Sequence, residues 1–400
     1  MKKNNKTKIE NLDIFLSFLL LGLTSFGGPI AHIGYFRNFF VKQKQWLDEK
    51  LYADFVSLCN FLPGPSSSQV GISIGYYFKG IKGAILAWLG FTMPSVIILM
   101  LFGYAILNYD SSIPQGVLKG LKAIVVIIVF QAIIGMSKNL LKDNIGYIIT
   151  FFTASFLIIL PSSFNQLLCL IISGLIGVIV YRKEKRKEKN NKHFIKLNFW
   201  KLFPLILFFV FLLIIPIINE IFNSNLLNLA NSFFKVGSMV FGGGHVVLPL
   251  LKEEFVARGM IENDLFLAGY GASQAIPGPL FTFSSFLGIF LKSEINTFIT
   301  SLFCLFFIFL PSFLLIIGTL SIWEELRKFN LIISAFKGIN ASVIGLLIAA
   351  LYDPIIISSL KNYYDFILIL ISFVILFFTK LPQWAAVFFI SFCGWMLTFI

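Results

Sequence analysis

The sequence predicts an all-α polytopic membrane protein made of two inverted-topology repeats of about six helices each, joined by one linking helix. Three observations carry that expectation: an apolar composition, a charged tract that cuts the chain in two, and motifs that occur once on each side of the tract. Of 400 residues, 58% are hydrophobic and 13% charged, at a mean hydropathy of +0.88. Soluble domains carry roughly a quarter charged residues. Uncharged runs such as Ile148–Pro161 and Leu202–Ile218 approach or reach the ~17–25 residues that a bilayer-crossing helix needs.

The elements follow in chain order. "MKKNNKTKIE" is lysine-rich but leads, without a small-residue cleavage site, into a long hydrophobic chain, so it reads as the start of a first membrane helix and not as a removed signal peptide. Helices are expected near 13–28, 66–80, 84–107, 116–137, 145–161 and 165–181, with Arg37–Asp54 as an amphipathic or re-entrant piece. The tract "RKEKRKEKNNK", Arg182–Lys192, has seven Lys/Arg, two Glu and no apolar residue. Its charge makes it a solvated cytoplasmic linker. A helix at 201–218 follows, then a second set near 226–241, 265–290, 295–322, 331–352, 364–379 and 383–400. Six crossings bring the chain back to its starting side and the linking helix inverts the second set, giving about 13 spans with the C-terminus outside. The count leaves Arg37, Lys42, Lys44 and Lys50 outside as well. The domains are then 1–181, a basic linker at 182–200, a linking transmembrane helix at 201–225, and 226–400. The N-terminus and linker face the cytoplasm from the cell membrane. The net charge of +13 is explained by this positive-inside placement, which removes nucleic acid as a partner.

The halves are related. "SFGGPIAHIGYF" (25–36) corresponds to "VFGGGHVVLPLL" (240–251), "LPGP" (62–65) to "IPGP" (276–279), "PS" at 94–95 to "PS" at 311–312, and "KGLKAIV" (119–125) to "KGINASV" (337–343). Order is kept and the offset stays between 214 and 218, the mark of an internal repeat. Inverted repeats with interrupted helices characterise secondary transporters, whose substrate lies near the midplane between the repeats.

Pro63, Gly64 and Pro65, and again Pro277, Gly278 and Pro279, break helices inside apolar surroundings. Backbone freed in this way must be buried in protein or line a wet cavity. Pro65 and Pro279 suit the first turn of a new helix, whose free N–H groups and dipole favour an anion. Ser66, Ser67, Ser68 and Gln69 add donors in the first half, and Thr282, Ser284 and Ser285 in the second. Such donors match a tetrahedral oxyanion. The alternative is a plain kink whose hydroxyls bond back to their own helix. Gly27 and Gly28, and Gly242, Gly243 and Gly244, permit either close approach of a ligand or close helix packing.

Charges in apolar segments are few, so each one is informative. Lys235, one turn after Asn231, needs an anion or a carboxylate. Lys119, Lys122 and Lys337 sit near helix starts, where they snorkel to headgroups. His32 and His245 follow the glycine motifs and are candidates for carrying protons, with a hydrogen-bonded structural role as the alternative. Arg37 is a candidate gate or substrate partner. Cys59, Cys169, Cys304 and Cys393 are far apart and unpaired, and read as packing residues with no metal or disulfide role. No HExxH, GxSxG, paired-aspartate or Walker pattern occurs, so enzymatic chemistry and ATP drive are not expected and no cofactor is called for.

The stretches "FGGPIAHIGYFR", "QWLDEKLYADFVSLCNFLPGPSSSQVGI", "GFTMPS", "FGGGHVVLPLL", "GYGASQAIPGPLFTFSSFLG" and "NASVIGLLIAALYDP" resemble the signature stretches of the chromate ion transporter family in its two-domain form. The likeness covers almost the whole chain except the basic tract and helix 201–218. It implies export of chromate from the cytoplasm, with sulfate as the close analogue and competitor, and makes the PGP and FGG stretches the marker positions. Asn60 stands where the family usually has glutamine, which Gln274 keeps. Leu20 stands where related sequences often have a basic residue, the counterpart of Lys235. The expected site is therefore a dianion between the helix starts after Pro65 and Pro279, with its charge met mainly by Lys235. Another oxyanion such as sulfate, moved by a transporter or a channel, is the alternative. The partners are the anion and the lipid bilayer, and a homodimer stays open.

Overall fold

A computed structural model describes residues 9–108, 115–182, 199–222, 224–241, 244–320, 322–323 and 330–397. Every regular element among the described residues is helical. Most of the basic tract, Gly242 and Gly243, and the chain's last three residues lie outside them.

The first half opens with two helical hairpins. Helix α1 (Asn11–Thr24) stops before Gly27 and Gly28, whose φ values of +96° and +78° are left-handed and cannot continue a helix. The sequence places this helix at 13–28, and the glycine pair shortens it. Helix α2 (Gly28–Phe36) then folds back along α1 and runs on into a wider-wound segment, Arg37–Gln43. Phe18 on the first arm meets Phe36 and Phe40 on the second at ring separations of 5.5 and 5.0 Å. Helix α3 (Glu49–Phe61) starts where the Asp48 carboxylate accepts the Leu51 N–H, a normal N-cap. The region 37–54, expected as one amphipathic or re-entrant piece, is divided by a turn at Gln45 (φ 52°).

The PGP turn ends α3 and begins α4 (Ser66–Asn108), and the start of α4 lies back along α3. Phe55 contacts Tyr77 at 5.8 Å, and Cys59 Sγ lies 3.6 Å from Ser73 Oγ. The chain then reverses inside α4 at Lys79 and Gly80, where φ reaches +59°, and Gly75 and Gly83 pack backbone to backbone. The arm before the reversal is about 20 Å long, short of the ~30 Å of a bilayer core. The helix expected at 66–80 is present, as the second arm of a hairpin with α3.

Longer helices follow: the rest of α4, α5 (Gln115–Leu140), α6 (Asn144–Ile159), α7 (Ser163–Tyr181) and α8 (Phe199–Phe222). The outer helix α8 buries only 6% of its most apolar window inside the protein.

The second half repeats the plan. Helix α9 (Asn225–Met239) pairs with α10 (Val247–Leu251) and its wider-wound continuation Lys252–Val256. Phe233 and Phe255, the counterparts of Phe18 and Phe40, lie 4.7 Å apart. Helix α11 (Asn263–Ala275) meets α12 (Phe283–Phe290) through Phe266 and Phe283 at 5.2 Å. The single helix expected at 265–290 is split by IPGP, where Gly278 has φ +106° between two prolines. Helices α13 (Thr297–Leu320), α14 (Asn330–Ala350), α15 (Tyr363–Phe378) and α16 (Gln383–Met396) complete the bundle. Among the described residues six stretches, in α4, α5, α7, α8, α13 and α14, are long and apolar enough to cross a membrane, and α1, α6, α15, α16 and the stretch Leu280–Phe290 are shorter apolar helices. The chain is a multi-pass all-α membrane protein.

The reversal in α4 depends on two glycines. A Cβ at Gly75 would press into the Gly83 carbonyl, whereas one at Gly135 meets nothing within 4 Å. Gly75→Ala is expected to cost about 1–3 kcal/mol by overpacking, and Gly135→Ala to cost nothing. Thermal unfolding of both variants in detergent checks this.

Candidate functional site

Four helix breaks meet in the interior: the two glycine turns and the two PGP turns. The Gly64 N–H donates to the Val240 carbonyl at 2.7 Å, and the Gly278 N–H donates to the Ser25 carbonyl at 2.9 Å. Val240 and Ser25 directly precede the FGG stretches, so each half's PGP turn is bonded to the other half's glycine turn. Gly64 and Gly278 hold φ of +127° and +106°, and a Cβ there would lie 2.6 Å from Ser312 Oγ and 2.8 Å from Ser95 Oγ respectively. These serines belong to the two "PS" motifs, again of the opposite half. Three of the duplicated motifs, FGG, PGP and PS, therefore form one reciprocal centre.

The first PGP turn is completed by Gln69, whose Nε2 donates to the Pro63 carbonyl at 2.6 Å and lies 3.4 Å from Ser312 Oγ. Pro65 C=O takes the first helical N–H, from Gln69. Ser67 Oγ is 3.2 Å from His32 Nδ1, while Ser68 Oγ and Gln69 Oε1 are buried without a partner. In the second half the hydroxyls turn inward on their own helix. Thr282 donates to Pro279 C=O at 2.7 Å and Ser284 to Phe281 C=O at 2.8 Å, so here the back-bonded alternative holds.

A cavity of about 300 Å³ lies against these turns, walled by Gly27, Asn60, Ser66, Gln131, His245 and Gln383 among others. It offers amide, hydroxyl and imidazole groups at the start of α4 and no charged side chain. His245 Nδ1 bonds Tyr270 OH at 2.9 Å. Gly244 packs against Pro29 and Leu280, and a Cβ at Gly28 would come within 3.8 Å of His245 Nε2. A larger cavity of about 550 Å³ lies under α8 and touches Pro63, Asn231, Lys235 and Phe241.

The sequence-derived candidates divide accordingly. Gly27, Ser66, Gly244 and His245 line the smaller cavity, and Pro63 and Lys235 the larger. His32 lines neither. It is buried, with Phe91 edge-on at 5.3 Å. Arg37 pairs with Glu49 on a half-exposed surface, because it sits at the outer end of α2, about 14 Å along the helix from Gly28. Lys122 does not snorkel. It is buried and pairs with Asp264 at 3.0 Å. Lys235 meets a carboxylate, Glu254, at 2.6 Å. Sequence reasoning passed over Glu254, Gln131 and Gln383. The signal for Glu254 was the contrast of "KEEF" (252–255) with "RNFF" (37–40) at matching positions. All four cysteines are free, and no metal-binding cluster occurs among the described residues.

The chromate transporter family profile matches residues 12–178 and 227–395. The chain belongs to the chromate transporter family. It is 31% identical over 359 residues to an uncharacterized transporter of Methanocaldococcus jannaschii, covering 87% of each chain. It is 23% identical over 352 residues to a chromate transport protein of Pseudomonas aeruginosa, covering 85% of this chain and 80% of that one. A probable chromate transport protein of Synechococcus elongatus is 27% identical over 336 residues, with 83% and 81% covered. No solved structure matches.

In this chromate transporter family member, the centre tests its own glycines. Gly259 is also left-handed, at φ +69°, but stands in open space. Gly259→Ala then measures backbone strain alone, about 1–3 kcal/mol. Gly64→Ala and Gly278→Ala add the clash with a serine of the other half and are expected to lower the unfolding temperature further than Gly259→Ala does.

Proposed function

We propose that the chain is a secondary transporter that carries chromate, with sulfate as its analogue, out of the cytoplasm by alternating access of two inverted repeats. The observation that carries this reading is the reciprocal bonding of the PGP and glycine turns between halves, beside a cavity lined with uncharged donors. A dianion leaving water loses hydration worth tens of kcal/mol or so. Several donors and a cation must replace it. The start of α4 supplies free N–H groups and a favourable dipole at Ser66, and Asn60, Gln131 and Gln383 add side-chain amides. Lys235, the charged side chain in the wall of the larger cavity, is the cationic candidate.

In this reading the short hairpins α1–α2, α3–α4, α9–α10 and α11–α12 are re-entrant, with their tips at the midplane. The rest of α4 and α5, α6 and α7 cross in the first repeat, and α13 to α16 cross in the second. An even number of crossings leaves both ends of the first repeat, and the basic linker, in the cytoplasm. Helix α8 then inverts the second repeat. This keeps the inverted relation while lowering the count from about 13 spans. The division at 1–181, 182–200, 201–225 and 226–400 follows from it. His245 is the candidate proton-linked residue at the cavity. In this reading Arg37 returns to the side on which α1 begins, and its partnership with Glu49 suits a cytoplasmic gate better than a substrate contact.

Radiolabelled chromate flux in vesicles tests the reading. Wild type is expected to carry saturable flux with counterflow, and Lys235→Ala and Pro279→Ala to reduce it at least tenfold. Unchanged flux in both removes the site. Competition among chromate, sulfate, molybdate and phosphate ranks the substrates, because the departures at Leu20 and Asn60 favour a second anion such as sulfate. Reporter fusions that put Ile400 and the central tract on the same side would overturn the inverted topology.

A further inference from the structure

Ser232 and Lys235 lie one turn apart on the same face of α9, and the returning arm of the hairpin sets Glu254 against them. Glu254 is 2% exposed. Its Oε1 accepts from Lys235 Nζ at 2.6 Å, and its Oε2 accepts from Ser232 Oγ at 3.0 Å and from Arg258 Nη2 at 2.9 Å. Two cations and a hydroxyl therefore surround one carboxylate. The cations reach solvent or cavity, with side-chain exposures of 31% for Lys235 and 42% for Arg258 against 3% for Glu254. Lys235 is the one charged side chain in the wall of the larger cavity, which extends to Pro63 at the first PGP turn.

This network has no counterpart in the first half. Leu20 stands at the place of Lys235, Phe39 at that of Glu254 and Gln43 at that of Arg258. The first hairpin nonetheless closes the same way, on Phe18 and Phe40. The hairpin therefore does not need the charges in order to fold, and a buried ion pair contributes little net stability. What the network does provide is an oxyanion-shaped set of donors, with charge-assisted bonds from lysine and arginine. With Glu254 inside, two cations face one negative charge and the set carries a net excess of one positive. A dianion in its place would balance the set.

We propose that the Glu254 carboxylate is a tethered competitor for the transported oxyanion: chromate or sulfate entering the larger cavity takes Lys235, Ser232 and Arg258 by displacing it. The inference rests on the reading of the chain as an oxyanion transporter and names the residues that would hold the anion's charge. Other charges near Glu254 are Glu253, next in the chain, and Lys252, 3.9 Å from Glu253. Neither contacts the three donors directly, so they remain when Glu254 is neutralised.

The test is anion binding to the purified full-length chain in detergent, read as the shift in unfolding temperature with added sulfate or chromate at fixed ionic strength, alongside flux of both anions in vesicles. Glu254→Gln removes the competing charge and is expected to bind either anion at least tenfold more tightly than wild type, while Lys235→Gln loses binding. If wild type transports or binds an anion and Glu254→Gln binds it no more tightly, the inference is overturned and the transport reading stands. If neither protein binds and wild type carries no flux of either anion, both are overturned. Should Glu254→Gln show no cooperative unfolding, Glu254→Asp, whose shorter side chain draws back from Lys235, decides instead. Tighter binding than wild type supports the competitor, and equal or weaker binding overturns it.

Discussion

The rest of the structure depends on one constraint: a backbone N–H or C=O freed where a helix breaks away from water must find a partner. Left unpaired, each such group costs roughly 1–3 kcal/mol, and more in hydrocarbon. Here the breaks settle one another's accounts across the halves, with Gly64 bonded to Val240 and Gly278 to Ser25. Neither PGP turn is complete within its own half. The positive φ at both glycines, and the serine of the other half directly over each, follow from that docking. The halves are thereby a single folded unit whose centre is made of turns, and the long helices hold those turns in place.

Backbone is shared between the halves, but side-chain chemistry is not. Ser25, His32, Ser67 and Thr92 are buried in the first half, where the second has Val240, Val247, Phe281 and Phe309 at the matching places. The second half carries Lys235, Glu254, His245 and Tyr270 where the first has Leu20, Phe39, Ile30 and Val56. The common hairpins survive both exchanges, which separates two kinds of constraint. Main-chain bonds and glycine positions hold the geometry. The polar residues are free to differ and so report on what the two sides of the centre do.

This separation also explains what the sequence made legible. The all-α apolar character, the duplication and the positions of the helix breaks could be read directly, because proline and glycine interrupt helices for local reasons. The hairpins could not. A buried arm of about 20 Å and a crossing helix show the same unbroken apolar pattern, and only the reversal at Lys79–Gly80 tells them apart. Spacing alone also left the partners of the hydroxyls unread: Thr282 and Ser284 donate to their own backbone, whereas Ser67 meets His32. Arg37 attracted attention as a charge near FGGP, yet a helix of that length carries it away from the turn to Glu49. Gln131 interrupts an apolar run of α5 and Gln383 opens α16, and only the fold brings them to one cavity.

The arrangement of the two cavities bears on how such a centre works. The first PGP hairpin stands between them: Asn60 and Ser66 face the smaller cavity, and Pro63 faces the larger. The smaller one has donors without a cation, while the larger has a cation in mostly apolar walls. An anion in the smaller cavity meets uncharged donors, and one in the larger cavity meets Lys235. The Gly64–Val240 bond lies at the tip of the first PGP hairpin, as the Gly278–Ser25 bond does at the tip of the second. Tips tied by reciprocal main-chain bonds hold the halves together with no buried charge, whose desolvation would offset much of what an ion pair contributes there.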